Sequence, residues 1–128
     1  MEETMKVYIS GPITGVPDFN RDAFTAAAAA LRAQGYDPLN PHDVIPNSTT
    51  GATWEECLRG DIAALATECD GIALLDGWES SRGSKLEVHI GMALHMKVQP
   101  IQSWLEEEVY DPQLDEAISG AVIRRKQG

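Results

Sequence analysis

The apolar run Gly71-Ile72-Ala73-Leu74-Leu75, the polar turn that follows it and the amphipathic stretch beyond constrain this chain most. A short apolar run bounded by turn residues reads as a buried strand, and roughly Lys85 to Met96 reads as a helix. Between them lies Trp78-Glu79-Ser80-Ser81-Arg82-Gly83-Ser84, a Ser/Gly loop at a helix start. Amide groups at a helix N-terminus lack intrahelical partners and carry a partial positive charge, so such a loop suits an anion. Glu87 falls in the expected first turn, where the helix dipole favours a carboxylate in its ionised form. Ser84-Lys85-Leu86-Glu87 also fits a capping box, in which Glu87 merely bonds back to the Ser84 amide. Both readings of Glu87 stand at this level.

The same alternation extends along the chain. Lys6-Val7-Tyr8-Ile9-Ser10 is β-branched and aromatic and stops at Gly11-Pro12, which marks a first strand. Asp18 or Asn20 is placed to cap a helix running to about Gln34, with Phe24, Ala28 and Leu31 inward and Gly35 as its stop. A short strand is expected near residues 36–39, followed by a long polar loop from Asn40 to Gly51 that contains His42. His42 reads as an exposed loop histidine, with ligand contact as the alternative. Thr53-Trp54-Glu55-Glu56 is a capping box that opens a helix to about Thr67, with Trp54, Leu58, Ile62 and Leu65 as its buried stripe. Asp61 falls one position off that stripe, at the border of the core, where a carboxylate needs a partner or a task. In the later helix Leu86, Ile90, Ala93 and Leu94 are the expected buried face, and a strand over 98–101 follows. Residues 104–128 read as an acidic stretch and a terminal helix over 111–125.

Alternating strands and helices imply a single α/β domain over residues 1–128. Its parallel sheet of four to five strands is flanked by helices in a Rossmann-like or flavodoxin-like three-layer arrangement. Ligands of such sheets bind beyond the carboxyl ends of the strands, which gathers Tyr8, the two loops and Glu87 at one rim.

Charge narrows the partners. A formal charge of −10 argues against a nucleic-acid polymer, which needs a basic stripe; Arg124-Arg125-Lys126 reads as a solvated tail. Cys57 and Cys69 lack metal or redox spacing, and His89 and His95 do not share a helix face, so neither a metal nor a cofactor is expected. The absence of a long apolar run and an acidic start predict no membrane partner and a cytoplasmic location.

Three motifs in order carry a resemblance: Tyr8-Ile9-Ser10-Gly11-Pro12-Ile13, then Asp61 ahead of Cys69-Asp70, then Ser81-Arg82-Gly83-Ser84-Lys85-Leu86-Glu87. Over roughly residues 6–100 the chain resembles the nucleoside 2-deoxyribosyltransferase superfamily, which includes deoxynucleoside 5′-monophosphate N-glycosidases. It is most similar to that group's short phage and bacterial members. The resemblance implies Glu87 as nucleophile at the anomeric carbon, Asp61 as the group that protonates or orients the departing base, and Tyr8 as the holder of Glu87 or the sugar. It implies Ser10, Gly11, Pro12, Ile13, Ser81, Gly83 and Ser84 as substrate-binding residues, with the loop before Glu87 on a 5′-phosphate. A nucleotide or nucleoside would be the partner, and a homodimer or higher homo-oligomer the assembly. The transferase branch carries an asparagine-containing C-terminal segment with no counterpart in residues 104–128, which favours hydrolysis. A nucleotide-binding or sequestering module without turnover is the alternative.

Overall fold

The structure, a computed structural model, describes residues 4–44 and 51–106, together with the backbone of 108–109 and 123–124. Its centre is a four-stranded parallel sheet in the order β2-β1-β3-β4, made of β1 (Lys6–Ser10), β2 (Asp37–Leu39), β3 (Gly71–Leu74) and β4 (Lys97–Pro100). β1 and β3 are central and buried on both faces, as their continuous apolar character requires. The edge strands carry Pro38 and Pro100, and a proline is tolerated at an edge because the missing amide interrupts no ladder. Helices α1 (Arg21–Ala33) and α4 (Ile101–Leu105) cover one face; α2 (Trp54–Glu68) and α3 (Arg82–Ala93) cover the other. The chain is therefore α/β with three layers.

Strand alternation assigns the side chains to layers. Val7 and Ile9 point to one face and pack with Phe24, Ala27, Ala28 and Leu31 of α1 and with Ile101 and Trp104 of α4. Trp104 also donates its indole N–H to the Ile72 carbonyl at 2.9 Å. Tyr8 points the opposite way, towards Leu65, Ile72 and Leu74 and the partly buried Val88 and Ile90. The alanine run of α1 lets this helix lie close to the sheet. Gly35, at φ +95°, ends it: the Gly35 and Tyr36 amides bond back to the Arg32 and Leu31 carbonyls, both at 3.0 Å.

Several boundaries differ from the sequence expectation. Asn20 occupies the N-cap position of α1, but its amide group donates to the Pro12 carbonyl at 3.0 Å instead of capping. Asp18, Phe19 and Asn20 are all left-handed, with φ between 52° and 60°. The capping box at Thr53 and Glu56 forms as expected. The face of α2 that turns fully inward carries Asp61, Ala64 and Leu65, whereas Trp54, Leu58 and Ile62 are only half-buried. β4 runs one residue earlier than expected, and Ile101 already belongs to α4.

α3 departs most. It begins at Arg82, three residues before the expected start, because the Ser81 hydroxyl accepts the Ser84 amide at 3.2 Å and caps the helix there. That earlier start makes the Ser-Gly run the first turn of the helix. Its buried face is Ser84, Glu87 and Gly91, while Leu86 and Leu94 are 41% and 50% exposed. Beyond α4, β5 (Glu108–Val109) and β6 (Ile123–Arg124) form a separate antiparallel pair. The expected terminal helix over 111–125 falls mostly outside the described residues, but residues 123–124 are extended and cannot belong to it. No helix among the described residues is long and apolar enough to cross a membrane.

Candidate active site

In the order β2-β1-β3-β4 the chain reverses direction across the sheet between β1 and β3. Loops leaving the carboxyl ends of two such strands diverge to opposite layers and leave a crevice. Here the crevice is a cleft of about 1080 Å³, bounded by the loop after β1, the start of α2 and the first turns of α3. Tyr8, Asp61, Ser84 and Glu87 all line it.

The strand period builds the centre of the site. Tyr8 and Ser10 are two residues apart on β1, so both hydroxyls leave the same face. Tyr8 Oη donates to Glu87 Oε2 and Ser10 Oγ donates to Glu87 Oε1, each at 2.7 Å. Glu87 reaches them because Gly91, one turn further along α3, lets this helix press against β3. A Cβ at position 91 would stand 2.6 Å from Ile72 Cδ1. The carboxylate is 6% exposed, and each oxygen takes one charge-assisted hydrogen bond, leaving lone-pair capacity for a reacting atom. Burial raises Glu87 to about pKa 7, the Ser10 and Tyr8 hydrogen bonds pull it down, and the nearby charge of Asp61 adds to the rise. Burial, the Glu87 charge and the Asp61 charge likewise push the Tyr8 phenol well above its usual range, so it stays a donor.

These contacts exclude the capping box at residues 84–87. Glu87 lies in the second turn of α3, counted from Ser81, and both its oxygens are engaged across the sheet by β1. Its environment is therefore set by burial and hydroxyl donors, with the first-turn dipole playing a smaller part than the sequence position suggested. Asp61, on the inward face of α2, is 7% exposed and borders the same cleft.

The rest of the wall follows from the two helix starts. Ser81, Gly83 and Ser84 line the cleft at the first turn of α3. Ser84 is 1% exposed, and its buried Oγ has no hydrogen-bond partner among the described residues. Arg82 lies over the Trp54 ring at 4.1 Å from its centroid, joining the starts of α2 and α3 by a cation–π contact. Gly11, Pro12 and Ile13 also line the cleft, whereas Ser10 is 1% exposed and turns its hydroxyl to Glu87 instead of the cleft.

A family model described as a domain of unknown function (DUF4406) matches residues 5–100. The chain belongs to that family. No curated protein matches the chain. The matched span of this DUF4406 domain contains β1 to β4 and every residue of the cleft named above.

Sequence reasoning placed Tyr8, Asp61 and Glu87 together, and they line one cleft. His42 is corrected. It is no exposed loop residue: Pro41–Asp43 form a 3-10 turn, and the imidazole is half-buried against the edge of Phe24 at 4.9 Å. It lines the cleft, with a buried Nε2 that has no partner among the described residues. Asn-Pro-His-Asp was visible in the sequence, but only the packing of β2 beside β1 carries this loop to the rim. Among the described residues no cluster of three or more His, Cys, Asp or Glu side chains is placed to hold a metal ion.

Proposed function

We propose that this DUF4406 domain cleaves the N-glycosidic bond of a 2′-deoxynucleoside 5′-monophosphate or a deoxynucleoside, with Glu87 as the nucleophile. The observation that carries the reading is the Glu87 carboxylate, buried in a cleft and held on both oxygens by Tyr8 and Ser10. Two hydroxyl donors serve an acceptor-only carboxylate best and fix its direction of attack. A carboxylate poised near neutrality is partly ionised at pH 7, more so above it, and is weakly enough solvated to react.

In the proposed sequence a Glu87 oxygen bonds to the anomeric carbon as the C–N bond breaks, and the bond's electron pair leaves on the base. Asp61, which enters this step as the protonated acid, gives its proton to the departing base and is left as a carboxylate. A water molecule then attacks the glycosyl ester and gives its proton to Asp61, which frees Glu87 and releases the sugar. A second base in place of water would make the reaction a transfer. The first turn of α3 supports the phosphate end, with the unpartnered Ser84 hydroxyl and Arg82 beside unpaired amides.

Incubation with deoxynucleosides and their monophosphates, followed by chromatography for free base, tests the reading. Release should rise with pH through about 7 as Glu87 ionises. Release from no member at any pH would defeat it, and tight binding without release would favour the sequestering alternative. We place the reaction in the cytoplasm, where the free thiols Cys57 and Cys69 stay reduced. A second copy of the chain would cover exposed Leu86 and Leu94, which sedimentation tests.

A further inference from the structure

The glycosidic chemistry uses Tyr8, Ser10, Asp61 and Glu87 and leaves His42 without a task. Yet the imidazole is held in one orientation. Its edge-on contact with Phe24 fixes the ring plane. A hydrogen bond to the Phe19 backbone favours the protonated ring, which makes it a bond donated by the histidine to a carbonyl. Because Nε2 has no partner among the described residues, the proton is assigned to Nδ1. The Phe19 carbonyl belongs to the left-handed run Asp18-Phe19-Asn20, a conformation in which the aromatic Phe19 is strained. Asn20 pins that run by its bond to the Pro12 carbonyl. Burial, together with the charge of Arg21, lowers His42 below the usual histidine range and keeps it neutral.

A neutral imidazole that donates from Nδ1 presents a bare lone pair at Nε2. That atom is buried on a side chain that lines the cleft, and among the described residues it accepts from no group. An orphaned buried acceptor is destabilising, and a bound ligand that donates to it recovers the loss. The same cleft is lined by Ile13, Val16 and Phe19, the last 55% exposed, apolar side chains suited to a flat ring.

We propose that His42 Nε2 accepts a hydrogen bond from the exocyclic amino group of the substrate's base, which selects amino-bearing bases over thymine and uracil. The assignment rests on the glycosidase reading and names the substrate class of that same site. An amino group projects beyond its ring and reaches a single acceptor set in a wall. The ring N–H of thymine or uracil is recessed between two carbonyl oxygens, whose lone pairs would face the imidazole nitrogen.

The test measures binding to the Glu87→Gln protein, in which turnover is blocked, by calorimetry. The probes are two nucleotide pairs differing only by loss of the amino group: dAMP against the unsubstituted purine deoxynucleotide, and dCMP against the 2-pyrimidinone deoxynucleotide. In whichever pair binds, the amino form should be favoured about tenfold, the scale of one hydrogen bond. Adding His42→Phe keeps the ring against Phe24 and should bring that ratio to about one, with affinity for 2-deoxyribose 5-phosphate unchanged. Adding His42→Gln, whose amide oxygen still accepts, should retain a preference for the amino form. An undiminished ratio in the His42→Phe protein, or an equal loss for 2-deoxyribose 5-phosphate, overturns the assignment while base release by the unsubstituted chain stands. Binding of none of the nucleotides overturns both the assignment and the glycosidase reading.

Discussion

Glu87→Gln separates what the buried carboxylate costs the fold from what it does in the cleft. Burial raises Glu87 from its ordinary value of 4.5 to about 7. Across that window the folded protein holds a proton that the unfolded chain has released. The neutral form is thus favoured by folding. Its contribution is complete below about pH 4.5, drains away as pH rises towards 7, and is gone above that. At about 1.4 kcal/mol per pKa unit, the difference between the two ends is about 3 kcal/mol. Glutamine is neutral at every pH, and its amide can meet both the Tyr8 and Ser10 hydroxyls, since a hydroxyl also accepts. The variant should therefore gain about 3 kcal/mol on the parent between pH 4 and pH 8, which corresponds to roughly 10 °C in Tm for a domain of this size. Carboxylates away from the cleft contribute equally to both proteins and cancel, and Asp61 is relieved of its neighbour's charge in the variant. Paired thermal melts across that range read the effect, and base release on the same samples should vanish. A Tm difference that does not change with pH would refute the argument, because it would mean that no strained charge is buried at position 87.

Removing the orphaned hydroxyl with Ser84→Ala should leave stability unchanged or raise it by up to about 1 kcal/mol. Affinity for a deoxynucleoside monophosphate should meanwhile fall about tenfold, measured by melts and calorimetry; Ser81→Ala, which removes a helix cap, should instead cost about 1 kcal/mol. Gly91→Ala places a Cβ 2.6 Å from Ile72 Cδ1, so α3 must lift or Ile72 must turn, at about 1–3 kcal/mol. Base release should drop further than stability as Glu87 draws away from Tyr8 and Ser10; a stabilised, fully active variant would show that this close approach does not set the site.

The layer order was legible before any coordinates because short apolar strands and amphipathic helices alternate with the periods that each element requires. Lys6–Ser10 and Gly71–Leu74 are the central strands for the reason visible in their residues: both faces are apolar or small. Thr53 and Glu56 announced their helix because a capping box is complete within four consecutive residues. Local pattern failed where a competing local pattern existed. Ser81 and Ser84 both precede a helix, and only the amide actually captured by Ser81 decides that α3 begins at Arg82. Hydrophobicity also misassigns the inward face of α3, which is Ser84, Glu87 and Gly91 while Leu86 and Leu94 are exposed, because Gly91 allows the close approach to Ile72.

The sequence by itself therefore determined the four strands of the sheet and the three long helices between them, though not α4, and that Tyr8, Asp61 and Glu87 belong to one rim. The tertiary structure decided what those groups are chemically. Tyr8 and Ser10 lie more than seventy positions from Glu87 along the chain, and their hydroxyls meet its two oxygens only because β1 pairs with β3 while α3 crosses over it. The raised pKa of Glu87 and the unpartnered nitrogen of His42 likewise exist only in the fold. Each is a property of what has been removed from around the group, water above all, and burial is a sum over distant segments that no local stretch of sequence contains.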